Sequence, residues 1–387
     1  MKQQVIRIVF AAVLCTPVLA GLSNAESDYG ESDKRDVEKQ KELDKVRLEL
    51  VKQKVENLKR EIKLKNKKFK VDVTEAIKHR IKDITGLTLP PGLQREARIQ
   101  SSLGERMFRL FLKKLSEYEK KMREKEKRKE EARRRETRKE ERKEEKKKVV
   151  PDKKLPDYYT IADPSRPAFN WVQNRKVTPI RHQGVCGSCW AFTAMAVFEA
   201  SNLILNNSEL DLSEQYMLDC AVDRYGRDAG SCNGGWYGKV FDYLSRKSAI
   251  EEDKAPYQGR SSICRSFPAT PYRVVAWGYV KRNAGIPSVD DMKRALCKYG
   301  PIAATVKVTP AFQAYVGGIF DEHARVGSPR DVNHGIVIVG WDDNKGAYLI
   351  KNSWGEEWGD DGYMWIEYGC NNIGYGAAWV VVTKEGL

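Results

Sequence analysis

Gln183–Glu199 reads Q-G-V-C-G-S-C-W-A-F-T-A-M-A-V-F-E, two cysteines three residues apart followed by an apolar run of good helix formers. That run predicts a helix beginning at or near Cys189, where the helix dipole favours a thiolate over a thiol. A thiolate is the reactive species, because an unperturbed thiol of pKa about 8.5 is mostly protonated at neutral pH. Gly184 and Gly187 let the backbone turn tightly and approach another chain closely. A C-x-x-C pair can also be a redox disulfide or half of a zinc site. No second C-x-x-C and no H-x-x-x-H accompanies it, so neither a metal nor a cofactor is expected.

A nucleophilic thiol needs a base, and the chain has only four histidines. His79 lies in a charged stretch, His323 in a polar one, and His182 directly before Gln183. His334 opens V-N-H-G-I-V-I-V-G-W (332–341), at the head of an apolar strand. Asn352 follows in K-N-S-W-G-E-E-W-G-D-D-G-Y (351–363), where an amide can fix the imidazole tautomer.

Outward from these motifs the chain changes character. Residues 1–150 hold 43 Lys+Arg against 27 Asp+Glu, whereas residues 151–387 hold 26 against 27. The overall charge of +15 therefore belongs to an N-terminal arm, and the remainder is close to neutral. Residues 1–25 read as a secretory signal, with Lys2 and Arg7 before an apolar Ile8–Leu19 and small residues at Ser23–Ala25. The expected product is exported, with no membrane span in its mature form.

Residues 26–118 form a helical region. Leu43, Val46, Leu50, Val55, Leu58 and Ile62 make one helical stripe. Met107, Phe108, Phe111, Leu112, Leu115 and Tyr118 make a second, with breaks at Thr85-Gly86 and Pro90-Pro91-Gly92 between them. Of the 30 residues in 119–148, 27 are charged, and many Glu residues precede a basic residue by four. Such pairs contribute about 0.2–0.5 kcal/mol each, enough in series for a solvated single helix, with a disordered linker as the alternative. Interleaved Glu and the absence of aromatic residues argue against nucleic acid as a partner. Residues 149–164 are a proline-rich connector, and 165–387 carry all the cysteines other than Cys15.

The C-G-S-C-W motif, a histidine in the window of roughly 130–150 residues downstream, and N-S-W-G-x-x-W-G-x-x-G-Y from Asn352 to Tyr363 together resemble the papain/cathepsin family of cysteine peptidases. The resemblance covers about 165–387. It implies an α+β fold of two halves, one mostly helical and carrying Cys189, one sheet-rich and carrying His334, with the cleft between them. It implies a Cys189–His334–Asn352 thiol mechanism, with Gln183 donating to the oxyanion and Trp354 shielding the His334–Asn352 hydrogen bond. Peptides or proteins are the implied substrates. Gly235 would align the substrate backbone, and Trp236 and Tyr237 would border the second subsite with Val332 and Gly335 near it, giving a hydrophobic preference two residues before the cleaved bond; Asn333 is a further implied substrate-binding residue. Asn333 stands where many family members have an acidic residue.

The family pairing implies disulfides Cys186–Cys232 and Cys220–Cys264. The odd count after removal of the signal suggests three disulfides and one free thiol, which leaves Cys297 and Cys370 for the third. The arm is expected to serve as an intramolecular inhibitor, the chain then being a zymogen, and coiled-coil self-association through it is a further possibility. Two readings compete: a catalytically silent scaffold whose arm binds partners, and thiol–disulfide exchange through Cys186 and Cys189.

Overall fold

The computed structural model describes residues 25–140 and 162–384. The signal stretch before Ala25, the end of the charged run and nearly all of the proline-rich connector lie outside them. The chain divides into two compact units, Met1–Leu50 and Val51–Leu387. In the first, the described residues are helical, and Leu43, Val46 and Leu50 are exposed.

The arm consists of α1 (Ala25–Leu64), β1 (Phe69–Val71), α2 (Ile81–Ile84) and α3 (Leu93–Glu140). After it come β2 (Ala168–Asn170), α4 (Cys189–Asn206), α5 (Glu214–Cys220), β3 (Gly230–Ser231), β4 (Gly234–Gly235) and α6 (Tyr237–Leu244). The remainder is β5 (Tyr272–Tyr279), α7 (Val289–Tyr299), β6 (Ile302–Val306), α8 (Pro310–Gln313), β7 (Tyr315–Phe320), β8 (His334–Asp342), β9 (Ala347–Lys351), β10 (Tyr363–Glu367) and β11 (Tyr375–Lys384). Nine strands form one sheet in the order β1-β7-β10-β9-β8-β6-β11-β5, with β2 added on β8.

Two apolar cores follow from this layout. One lies within the sheet-rich half around Phe312, Tyr315, Trp341, Trp354 and Trp358. The other joins α4 and α6 to β5 and β11 through Trp190, Phe198, Trp236, Tyr237 and Phe241. Helix α4 is buried on nearly every side, as its apolar composition requires. It packs against β8 and β11, which brings Cys189 at its first residue beside His334 at the first residue of β8.

Two disulfides are present, Cys186–Cys232 and Cys220–Cys264. The expected third is not: Cys297 and Cys370 are free thiols. Cys297 is half-buried near the end of α7, whereas Cys370 is buried with its Sγ accepting the His323 N–H at 3.3 Å. Each thiol is accommodated where it stands, so counting cysteines overstates the cross-links. Among the described residues no helix is long and apolar enough to cross a membrane.

The arm meets the main sheet at both edges. β1 extends it beyond β7, pairing Phe69 with Gly318, and α3 lies along β5 at the other end. Of the second predicted stripe, Phe108 and Phe111 are buried, while Met107, Leu112 and Tyr118 are exposed. Helix α3 runs unbroken into the charged run as far as Glu140.

Candidate active site

Cys189 and His334 are both wholly inaccessible to solvent. The Cys189 Sγ accepts the backbone N–H of Gly335 at 3.4 Å, so the sulfur lies against the residue that follows His334. The His334 Nε2 is 2.8 Å from Asn352 Oδ1. The Ser353 N–H donates to that same Oδ1 at 2.8 Å, which identifies it as an acceptor. The imidazole therefore donates from Nε2, and in the neutral ring Nδ1 is left as the unprotonated nitrogen. Nδ1 is buried with no hydrogen-bond partner. The Trp354 ring covers the imidazole, with centroids 4.7 Å apart.

Gln183 is fully buried and braced on both ends of its amide. Ser353 Oγ donates to Gln183 Oε1 at 2.7 Å, while Gln183 Nε2 donates to the carbonyls of Cys186 at 2.7 Å and Ile84 at 3.2 Å. The carbonyl of Ile84 also accepts Trp354 Nε1–H at 3.1 Å.

Ile84 belongs to the arm, and the residues after it fill the cleft. Gly86 lies so close to Gly187 that a Cβ there would fall 1.8 Å from the Gly187 carbonyl oxygen. Its amide lies by the Cys189 sulfur and favours the thiolate. Leu87 N–H donates to Asn333 O at 3.1 Å, Gly235 N–H to Gly86 O at 2.8 Å, and Thr88 N–H to Gly235 O at 2.9 Å. The Leu87–Gly235 bridge is parallel. The Thr85-Gly86 break in the helical pattern is thus a cleft-crossing segment, and its only sequence signal was a glycine with no turn to explain it.

This cover sets the electrostatics. Burial pushes the Cys189 thiol up to about 11, against the opposing pull of the Gly335 and Gly86 amides. Burial pushes His334 down to about 4, against its bond to Asn352. Both groups are neutral in the covered form, although Cys189 sits at the N-terminus of an eighteen-residue helix.

The predicted substrate-binding residues divide. Gly235, Asn333 and Gly335 touch the arm segment or the sulfur through their backbones. The Asn333 side chain is tied back to Val308, accepting its N–H at 2.7 Å and donating to its carbonyl at 3.3 Å. Val332 is buried. Trp236 and Tyr237 are buried and stacked at 4.3 Å, with Tyr237 Oη donating to Gly376 O at 2.6 Å.

A polar brace beneath the site was not legible in the sequence. Lys351 Nζ donates to Thr178 O at 2.7 Å, and Thr178 Oγ1 donates to Glu199 Oε2 at 2.6 Å. This ties β9, which leads into Asn352, to the helix that carries Cys189. Burial raises Glu199 to about 7 and lowers Lys351 to about 8. Among the described residues no cluster of His, Cys, Asp or Glu is arranged to hold a metal ion.

Residues 166–382 match the papain family cysteine protease pattern. Mouse pro-cathepsin H is 36% identical over 208 residues, covering 52% of this chain and 60% of that protein. The thiol protease aleurain of Arabidopsis thaliana is 34% identical over 210 residues, covering 53% of this chain and 56% of that protein. The chain thus spans little more than half the length of the curated relatives it matches. The solved digestive procathepsin L2 proteinase of Tenebrio molitor larval midgut is 21% identical, with a TM-score of 0.60 over 94% of this chain and 95% of that one, a likeness of fold. On these matches, the chain belongs to the papain family of cysteine proteases.

Proposed function

We propose that this chain is an exported cysteine endopeptidase made as a zymogen, with Cys189, His334, Asn352 and Gln183 as its machinery. The observation that carries the reading is the hydrogen-bond order at His334. Asn352 Oδ1 takes up Nε2–H and leaves the Nδ1 lone pair free to accept the Cys189 proton. The thiolate then adds to a peptide carbonyl. The developing oxyanion is met by Gln183 Nε2 and the Cys189 N–H, and one donor of this kind is worth roughly 2.7–4 kcal/mol in a serine protease. The His334 imidazolium gives its proton to the departing amine, and the C–N bond breaks to leave a thioester. Water, deprotonated by His334, adds to that thioester, the C–S bond breaks, and Cys189 is regenerated.

The arm acts as the inhibitor by occupying the same backbone donors and acceptors in the opposite direction. A substrate residue paired with Gly235 precedes the bond to be cut. Here Leu87 pairs with Gly235 and follows Gly86, the residue at the sulfur. The segment therefore offers no carbonyl in the productive order. Removal of the arm would expose the thiol and restore its ionisation.

Hydrolysis of a fluorogenic dipeptide with a hydrophobic residue second from the cleaved bond tests this under reducing conditions. Activity is expected from the arm-free enzyme, far less from the full chain, and none from Cys189→Ala. Absence of hydrolysis in every form, together with absence of labelling by a thiol-directed inhibitor, would favour the silent scaffold.

A further inference from the structure

Strand β5 is the last strand of the sheet, and its outer edge would otherwise present unpaired backbone groups. Helix α3 supplies their partners from side chains. Gln100 Nε2 donates to Trp277 O at 2.9 Å, Tyr279 N–H donates to Ser101 Oγ at 3.2 Å, and Ser101 Oγ reaches Tyr279 O at 3.5 Å. The helix comes this close because its inner face is small. Ala97 is fully buried, and a Cβ on Gly104 would stand 1.9 Å from the Trp277 carbonyl oxygen. One turn on, Phe108 packs edge-on against Tyr299 at 5.1 Å and Trp379 at 6.0 Å, two rings that are themselves stacked at 4.0 Å. Polar ties frame the contact, with Arg224 donating to Gln100 Oε1 at 2.9 Å and Arg227 paired with Glu96 at 3.2 Å.

This contact is built separately from the cleft cover. The exposed turn at Pro91 and Gly92, the latter with φ +71°, divides the two. At the far end, no described residue of α3 from Ser116 onward is buried. A cut at either boundary would leave the whole buried stripe from Leu93 to Leu115 intact.

We propose that the outer edge of β5, with the Tyr299–Trp379 shelf, is a lasting helix-binding surface, and that residues 93–115 of this chain remain on it as a second, non-covalent chain after the covalent connections on both sides are cut. An arm that served only to block the cleft would need the segment at 84–88 and the β1 pairing. It would not need backbone hydrogen bonds to the opposite edge of the sheet. Loss of this helix would uncover the β5 edge together with the rings of Tyr299 and Trp379, an association hazard for an enzyme on its own.

The test begins with the intact folded chain, carrying one recognition sequence for a site-specific protease in the Pro91-Gly92 turn and another within the exposed 124–130 stretch. After both cuts, native size-exclusion chromatography with intact-mass detection follows the helical fragment. Co-elution with the enzyme at one to one is expected. Elution of the fragment alone, or an enzyme that pairs with a second copy of itself and sheds the fragment, would overturn the proposal. Gly104→Leu should speed dissociation roughly ten- to hundredfold, because neither backbone can yield, and Glu105→Ala on the exposed face should leave it unchanged. If Gly104→Leu prevents folding, Gln100→Ala serves in its place, and equal retention of that variant and wild type would also count against the surface. The readout is binding, so its failure is distinct from a failure of the peptidase reading.

Discussion

The arm touches the papain-family domain at the cleft and along β5, and the two contacts are held by different means. In the cleft, Gly86, Leu87 and Thr88 are bound through backbone groups to Gly235 and Asn333, with the Gly86 amide by the Cys189 sulfur. Along β5, α3 is held by side chains: a glutamine, a serine and a phenylalanine on a face of small residues. Backbone pairing places little demand on side-chain identity beyond the glycine that permits close approach, and it sits over ionisable groups. Side-chain docking depends on each residue's shape and buries apolar surface. The first contact is suited to being undone by conditions, the second to persisting through them.

The largest effect should come from the docked helix. Phe108→Ala removes a buried ring with three aromatic neighbours. It should cost about 3–5 kcal/mol of full-chain stability, read as a shift of the denaturant midpoint. Labelling of Cys189 in the folded variant should stay as slow as in wild type. A loss below about 1 kcal/mol would mean that the helix is not held by this ring.

The cleft cover should instead respond to pH. His334 is held near 4 beneath the cover, whereas a solvated imidazole titrates near 6.5. A histidine depressed in this way stabilises the covered form fully above about 6.5, and that stabilisation is lost as pH falls toward about 4. The loss is roughly 3 kcal/mol at its limit. Cys189 has the opposite sign. Raised to about 11, it favours the cover below the ordinary thiol range and weakens it as pH rises through that value. Hydrogen exchange at the Leu87 and Thr88 amides, corrected for the intrinsic rate, should therefore be slowest between these limbs. A flat profile would break the contrast.

Gly86→Leu attacks the cover alone. With the Gly187 carbonyl 1.8 Å from the added Cβ, the segment cannot seat. Cys189 of the full chain should become roughly ten- to hundredfold more reactive, the equivalent of 1–3 kcal/mol of overpacking. Global stability should change less than in Phe108→Ala. The smallest effect belongs to the projecting part of α3. Glu119→Gln removes an exposed pair with Arg123 and should change helix content by no more than about 0.5 kcal/mol, an effect erased by salt.

The contrast also explains what could be read from the chain before its fold was known. The cluster of Cys189, His334, Asn352 and Gln183 was legible because the proposed thiol chemistry calls for fixed residue types. A thiolate would call for a helix start at Cys189, a fixed tautomer for Asn352, and an oxyanion for an amide donor such as Gln183. The docked helix was half legible, since its stripe located Phe108 and Phe111 but hid the contact at Gln100, Ser101 and Gly104, where a polar and small face reads as solvent-facing. The cleft segment was illegible because backbone pairing leaves no side-chain pattern. Cys297 and Cys370 misled for a related reason, as a count of thiols carries no geometry. The Lys351–Thr178–Glu199 brace joins residues distant in sequence, and nothing local marks them as partners.

The most direct measurement is mass spectrometry of the full chain and of the enzyme freed of residues 84–88, each exposed to a peptide-derived electrophile while hydrolysis is followed in parallel. The expected result is one adduct, on Cys189, that forms only once the segment is gone and appears in step with activity. Equal modification of Cys189 in both forms, or adducts confined to Cys297 and Cys370 with no hydrolysis, would contradict a covered Cys–His–Asn peptidase.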